Sequence, residues 1–377
     1  MRAFLLLLAA PLAIAGAQSG DATIARLLEP IRAAHNLPAL GAAMVTVGTA
    51  APWPGSTDLG KNARIALAVT GVRKRGTDVA VTANDQWHLG SDTKAMTAVI
   101  IASLVERGKL TWDSRLGDIF GDLAPAFSEE FRGITITQLL SHHAGLPANI
   151  AWRDIERRGG ALTAQRAAAV KMAAATRLES RPGSAYLYSN LGYTIAGAIA
   201  ERVTGKAWES LIKDVVFDPL GMKSCGFGGS GTPGKVDEPW PHLESGAAAP
   251  QNGPGMDNAH VMGPAGIVHC SITDWARFIA DQLAGDRGNG LLLKEETYRT
   301  LHTPKLGGDY AFGWLVAARP WGGTVLTHAG SNTMNFCVVW LAPEKGFAVL
   351  AVTNQGGAQA QAATDAAVGA LIQRYVR

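Results

Sequence analysis

Cysteine is scarce in this 377-residue chain, which has only Cys225, Cys270 and Cys337. An odd number at wide spacing excludes a disulfide framework and a CxxC-type metal site, and it allows at most one internal bridge. Clustered charge is missing as well. The net charge is +3 with Lys and Arg scattered, so neither a nucleic-acid footprint nor a polybasic membrane patch is present. Beyond the first 17 residues, no segment approaches the roughly 20 uninterrupted apolar residues of a membrane span. Of the nine histidines, none falls in His-Glu-x-x-His, and the adjacent His142 and His143 diverge on any regular element. No metal and no organic cofactor is expected. The G-x-S-x-G elbow of the α/β-hydrolases is also absent.

What the chain does have begins at its N-terminus. Met1-Arg2 is a short positive region, Ala3 to Ala15 is an apolar run broken only by Pro11, and Ala15-Gly16-Ala17 is a small-x-small pattern. Residues 1–17 therefore read as a secretory signal cleaved after Ala17, too short to span a bilayer. No cysteine near that point could accept a lipid. The mature chain is expected to be soluble, periplasmic or secreted, and its roughly 360 residues can bury a substantial core.

Ala22 to Asn36 has helical apolar spacing, and Leu40 to Val47 and Arg64 to Val72 read as strands. Between these strands Thr49 to Asn62, rich in Pro and Gly, reads as a long surface loop. Near the other end, Asn335 to Ala342 and Phe347 to Thr353 form a hairpin around Pro343-Glu344-Lys345-Gly346, and Ala358 to Val376 is an Ala-rich helix. Helical and irregular segments fill the middle. The organisation expected is one α/β chain of the α+β type, with a strand-rich lobe (about 18–109 and 271–377) and a mostly helical lobe (about 110–270).

Three short motifs carry chemistry. Ser91-Asp92-Thr93-Lys94 opens an apolar run that ends at Gly108, which makes Ser91 the start of a buried helix. Residues three apart share a helix face, so the Lys94 amine can approach the Ser91 hydroxyl, and burial lowers a lysine pKa towards that of a working base. Ser-x-x-Lys alone is weak, because Ser210-Leu-Ile-Lys213 matches it too and reads as ordinary helix surface. The second motif is Tyr188-Ser189-Asn190, after the Pro182-Gly183 turn. There a phenol can relay a proton if Lys94 lowers its pKa, and an amide can orient a carbonyl. Tyr186, Tyr188 and Tyr193 could equally be a packed aromatic cluster beside a helix cap. The third is His328-Ala329-Gly330-Ser331. Gly330 on an edge strand would let a substrate approach the backbone, and the Ser331 and Ser91 amides could form a two-donor oxyanion hole. A lone histidine such as His328 is more often structural than catalytic.

In this order the three motifs resemble the serine β-lactamase and penicillin-binding-protein superfamily, with the class C β-lactamase, D-aminopeptidase and family VIII esterase branch nearest. Ile134 to Pro147, Asp218-Pro-Leu-Gly-Met222 and Pro264-Ala-Gly-Ile-Val268 also resemble it. The resemblance implies an antiparallel sheet flanked by helices, a helical lobe and a cleft between them. It also implies an acyl-enzyme on Ser91, with Lys94 and Tyr188 moving protons and Asn190, His328, Gly330 and Ser331 holding substrate or oxyanion. Where β-lactamases and transpeptidases of the superfamily have Lys-Thr-Gly, this chain has His328-Ala329-Gly330, losing a permanent cation and a hydroxyl. An ester, a small amide or a D-amino-acid peptide is therefore the expected substrate.

Two other classes remain to be weighed. Gly226 to Gly231 matches G-x-G-x-x-G and Gly229 to Lys235 nearly matches a P-loop, but no strand feeds them and the following prolines disfavour a helix. A catalytically silent module that binds cell-wall peptides would keep the fold without using its reactive groups.

Overall fold

In the computed structural model, which describes residues 18–376, eleven strands fall into two sheets. In chain order they are β1 (Gln18–Gly20), β2 (Ala39–Val47), β3 (Thr57–Gly60), β4 (Ala63–Gly71), β5 (Gln86–His88), β6 (Gly226–Phe227), β7 (Val268–Ser271), β8 (Leu315–Arg319), β9 (Gly323–Ser331), β10 (Phe336–Ala342) and β11 (Phe347–Thr353). The larger sheet runs β1-β4-β2-β11-β10-β9-β8, with β3 also on β4, and every pairing is antiparallel. The expected secretory segment, residues 1–17, lies outside the described residues.

The central strands β2, β4, β10 and β11 are covered on both faces, which explains why they are apolar almost without interruption. Along β2, Leu40, Ala42 and Met44 join one apolar layer and Ala39, Ala43 and Val45 the other. The first layer is closed by the terminal helices Ala22–Ala34 and Ala358–Tyr375, through residues such as Ile24, Leu28, Ala363 and Leu371. The second holds the helices Thr93–Glu106 and Ile272–Gly285 and continues into the helices of residues 116–220. The architecture is the mixed α/β one expected, an antiparallel sheet flanked by helices. Among the described residues no helix is long and apolar enough to cross a membrane.

Three details differ from expectation. Part of the presumed loop 49–62 is β3, an exposed edge strand whose buried anchor is Leu59. A four-residue strand with one inward side chain carries no readable alternation. A second sheet, β5-β7-β6, sits in the middle of the chain and is tied by the Cys225–Cys270 disulfide, while Cys337 is a buried free thiol. Gly226 of the G-x-G-x-x-G match therefore does lie on a strand, but a two-residue one followed by turns and no helix. Ser210 and Lys213 are both exposed, as an ordinary helix surface requires.

Candidate active site

Strand β5 delivers the chain to a sharp turn at Gly90, with φ +47°, and a single 3-10 turn, Gly90–Asp92, runs into the helix Thr93–Glu106. That helix is apolar all round, as suits a helix with no solvent face, and Thr93 to Leu104 are all buried. Lys94 is 0% exposed within it. Its Nζ lies 3.0 Å from Ser91 Oγ, 2.8 Å from Asn190 Oδ1 and 2.7 Å from the Ala265 carbonyl oxygen. Burial holds the Lys94 amine well below its ordinary pKa, with Asp92 opposing the effect. A neutral amine has two N–H groups and one lone pair. Two carbonyl acceptors take the N–H groups, which leaves the lone pair aimed at the Ser91 hydroxyl.

On its other side, Ser91 Oγ accepts from Tyr188 Oη at 2.7 Å. Tyr188 is carried into place by the cap of the next helix, Asn190–Thr204. Ser189 Oγ accepts from Gly192 N–H and donates to the Pro147 carbonyl, while the Ser189 N–H donates to His142 Nδ1. The aromatic-cluster reading and the active reading coincide here. His142 packs against Tyr188, Tyr186, Tyr193 and Tyr310 with ring centroids 4.4 to 5.8 Å apart. The pKa differs from expectation, because burial pushes the Tyr188 phenol above its ordinary value. A neutral Lys94 offers no charge to pull it down, so the proton stays on Tyr188, pointed at Ser91.

His328 sits on β9, opposite Val339 of β10. Strand β8 reaches only as far as Thr327, so the segment from His328 to Ser331 is an edge locally although β9 is not an edge strand. His328 is 5% exposed, its Nε2 is 3.1 Å from Tyr310 Oη, and its Nδ1 is 2.9 Å from the Ala329 carbonyl oxygen. A carbonyl only accepts, so Nδ1 carries the proton and Nε2 accepts from Tyr310. Burial holds this ring down to about 3. His328 is thus a neutral imidazole with no hydrogen-bonding atom left for a ligand. It packs against Tyr310 and does not itself line the cleft.

Two glycines bring the Ser91 and Ser331 amides together. A Cβ on Gly90 would lie 2.3 Å from the Ser331 nitrogen, and one on Gly330 would lie 1.9 Å from the Leu89 oxygen and 2.9 Å from the Ser91 nitrogen. No side chain fits at either position. The amides flank a cleft of about 820 Å³, whose lining includes Ser91, Asn149, Asn190, Trp152, Ser331 and Met334.

Beneath the turn, Asp92 is buried, with Oδ2 accepting from Cys337 Sγ at 3.0 Å and Oδ1 unpartnered among the described residues. Burial pushes this carboxyl up to about 7 from an ordinary 3.8. Because the folded-state pKa is the higher one, its stabilising contribution is complete below about pH 3.8 and is lost as pH rises through about 7. The loss is on the order of 4 kcal/mol. Asp92→Asn, which stays neutral throughout, is expected to melt several degrees above wild type beyond pH 7 and level with it near pH 4. Thermal melts across pH 4 to 9 test this, and identical slopes for both proteins would rule Asp92 out as the titrating group.

Sequence reasoning missed Asn149, whose Oδ1 accepts from Asn190 Nδ2 at 3.0 Å, and the partners Asp92–Cys337 and Tyr310–His328. These pairs join residues 18 to 245 positions apart, and no local pattern encodes such a meeting.

Comparison with known proteins adds an independent line. The Beta-lactamase family model matches residues 32–374. Penicillin-binding protein 4 of Amycolatopsis lactamdurans is 29% identical over 301 residues, 76% of this chain and 77% of that protein. Among solved structures, the octameric penicillin-binding protein homologue from Pyrococcus abyssi superposes with a TM-score of 0.72 at 20% identity, covering 93% of this chain and 77% of that one. The D-stereospecific amidohydrolase from Streptomyces sp. superposes with a TM-score of 0.68 at 19% identity, covering 92% and 98%. At these identities the structural likeness speaks for the fold alone.

Proposed function

Because this chain belongs to the beta-lactamase family of serine hydrolases, we propose that it is an exported enzyme that cleaves an ester, a small amide or a D-amino-acid peptide through an acyl-enzyme on Ser91. One observation carries this reading. In the wall of the cleft, Ser91 Oγ stands 3.0 Å from an amine whose pKa burial lowers and 2.7 Å from a phenol whose pKa burial raises. Lys94 takes the hydroxyl proton as the Ser91 oxygen bonds to the carbonyl carbon. The Ser91 and Ser331 amides hold the oxyanion, and Tyr188 supplies a proton to the departing group. Water then attacks the acyl-enzyme with the proton transfers reversed. The substrate preference follows from charge. His328 is neutral and buried where a lysine would hold a carboxylate, so substrates that depend on such a cation lose a strong anchor.

A panel of p-nitrophenyl esters, D-amino-acid amides, D-Ala-D-Ala peptides and a chromogenic cephalosporin tests the preference. Ester cleavage is expected well above cephalosporin cleavage, and a dominant cephalosporinase activity would overturn it. Export is supported by the Met1 to Ala17 pattern and by the Cys225–Cys270 bridge, a bond that persists mainly in oxidising compartments. The intact mass of the mature protein reads this directly. A chain starting at Gln18 is expected, and a cytoplasmic product retaining residues 1–17 would refute it.

A further inference from the structure

His88, Asp257 and Asn332 form a buried chain of hydrogen bonds that no step above uses. The three residues are 4%, 6% and 3% exposed. At one end, the Gly90 N–H donates to His88 Nδ1 at 3.0 Å. The other ring nitrogen, Nε2, lies 2.8 Å from Asp257 Oδ2. Asp257 Oδ1 accepts from Asn332 Nδ2 at 2.8 Å, and Asn332 Oδ1 accepts from the Met334 and Asn335 amides at 3.2 and 2.9 Å. Each link has a required polarity. A nitrogen that accepts from a backbone N–H cannot hold a proton itself, so the His88 proton is on Nε2 and is donated to the carboxylate.

The two ends of this chain are the two oxyanion segments. Gly90 precedes Ser91, and Asn332 follows Ser331 and brackets the turn in which Thr333 takes φ +71°. The two segments also touch through glycines that leave no room for adjustment. We propose that Asp257 acts through His88 and Asn332 as a positioning residue that holds the Ser91 and Ser331 amides at the spacing the tetrahedral oxyanion needs, an inference that rests on the acyl-enzyme reading above. Asp257 can do this because a carboxylate accepts on both sides. An asparagine has one acceptor and one donor end, so either orientation sets a donor against a donor, at His88 or at Asn332. Asp257→Asn therefore breaks one link while keeping the shape.

A misaimed pair of amides weakens transition-state binding and leaves the Ser91–Lys94 pair intact. For Asp257→Asn, kcat on a p-nitrophenyl ester is expected to fall about ten- to a hundred-fold with KM within about two-fold. Affinity for a phosphonate or boronate transition-state analogue should fall in parallel, and stoichiometric labelling by a fluorophosphonate should persist. An unchanged kcat, or a kcat loss that vanishes once turnover is divided by the fluorophosphonate-labelled fraction, would overturn the proposal. NMR of the wild-type protein with ¹⁵N-labelled histidine supplies a readout that does not need the variant to fold. His88 protonated on Nε2 supports the chain of bonds, and a proton on Nδ1 refutes it. A folded wild type that never labels overturns the acyl-enzyme reading, and the positioning role goes with it.

Discussion

Ser91→Ala is expected to abolish covalent labelling by a fluorophosphonate and to lower ester turnover by about 10⁴-fold or more. The size follows from what is removed. Lys94 accepts from the Ser91 hydroxyl and Tyr188 donates to it, and without that oxygen neither proton-handling group has anything to activate. The amides and the cleft remain, so residual turnover above the uncatalysed rate is expected from binding and oxyanion stabilisation alone. The fold should survive, because a methyl replaces a hydroxymethyl at the cleft wall. Full activity in this variant would move the nucleophile elsewhere, and a folded wild type that resists labelling would favour a silent peptide-binding module.

Lys94→Met should cost about 10³-fold in turnover, with labelling slowed alongside it. Methionine fills a similar volume in the buried helix, but its thioether is far too weak a base to take a proton, so Ser91 keeps its proton during attack. Lys94→Arg should be as inactive for a different reason, because a guanidinium cannot be deprotonated in this range. The pH profile carries the same information. Burial lowers the Lys94 pKa, so the active, neutral form accumulates as pH rises through that lowered value. The rise in kcat/KM should be complete before the pH at which an ordinary lysine would titrate. The Met variant should lose this limb, and a wild-type profile that rises only near the ordinary lysine pKa would show that Lys94 is not the base.

Much of this was legible before any coordinates, and what was legible had a common cause. The strands β2, β4, β10 and β11 bury both faces, so they are written as unbroken apolar, β-branched runs. The Ser91–Lys94 pair was legible because helix geometry fixes which side chains three apart can meet. Strands β3, β5, β6 and β7 were not, since elements of two to four residues owe their shape to neighbours far along the chain. Tyr188 lies beside Ser91 as the motif order implies, but the condition of a lowered pKa is not met, since burial raises it. Reasoning from Lys94 as a cation overlooked that the burial which makes Lys94 a base also removes its charge. The Tyr310 partner of His328 was not legible, because no local pattern reveals a contact 18 positions away. Asp257 lies in a Gly/Pro-rich stretch where side-chain direction depends wholly on tertiary contacts.

Strand β11 lies between β2 and β10, so residues 347–353 are what join the first half of the large sheet to the strands that carry His328 to Ser331. Ser91 and Lys94 belong to one local turn, whereas the Ser331 amide reaches them on a strand that the sheet has to place. The reactive pair is set by local helix geometry, and the oxyanion amides are completed only by the tertiary fold. A chain cut before Phe347 would keep the hydroxyl and the amine in sequence but lose the strand that ties their half of the sheet to the Ser331 amide.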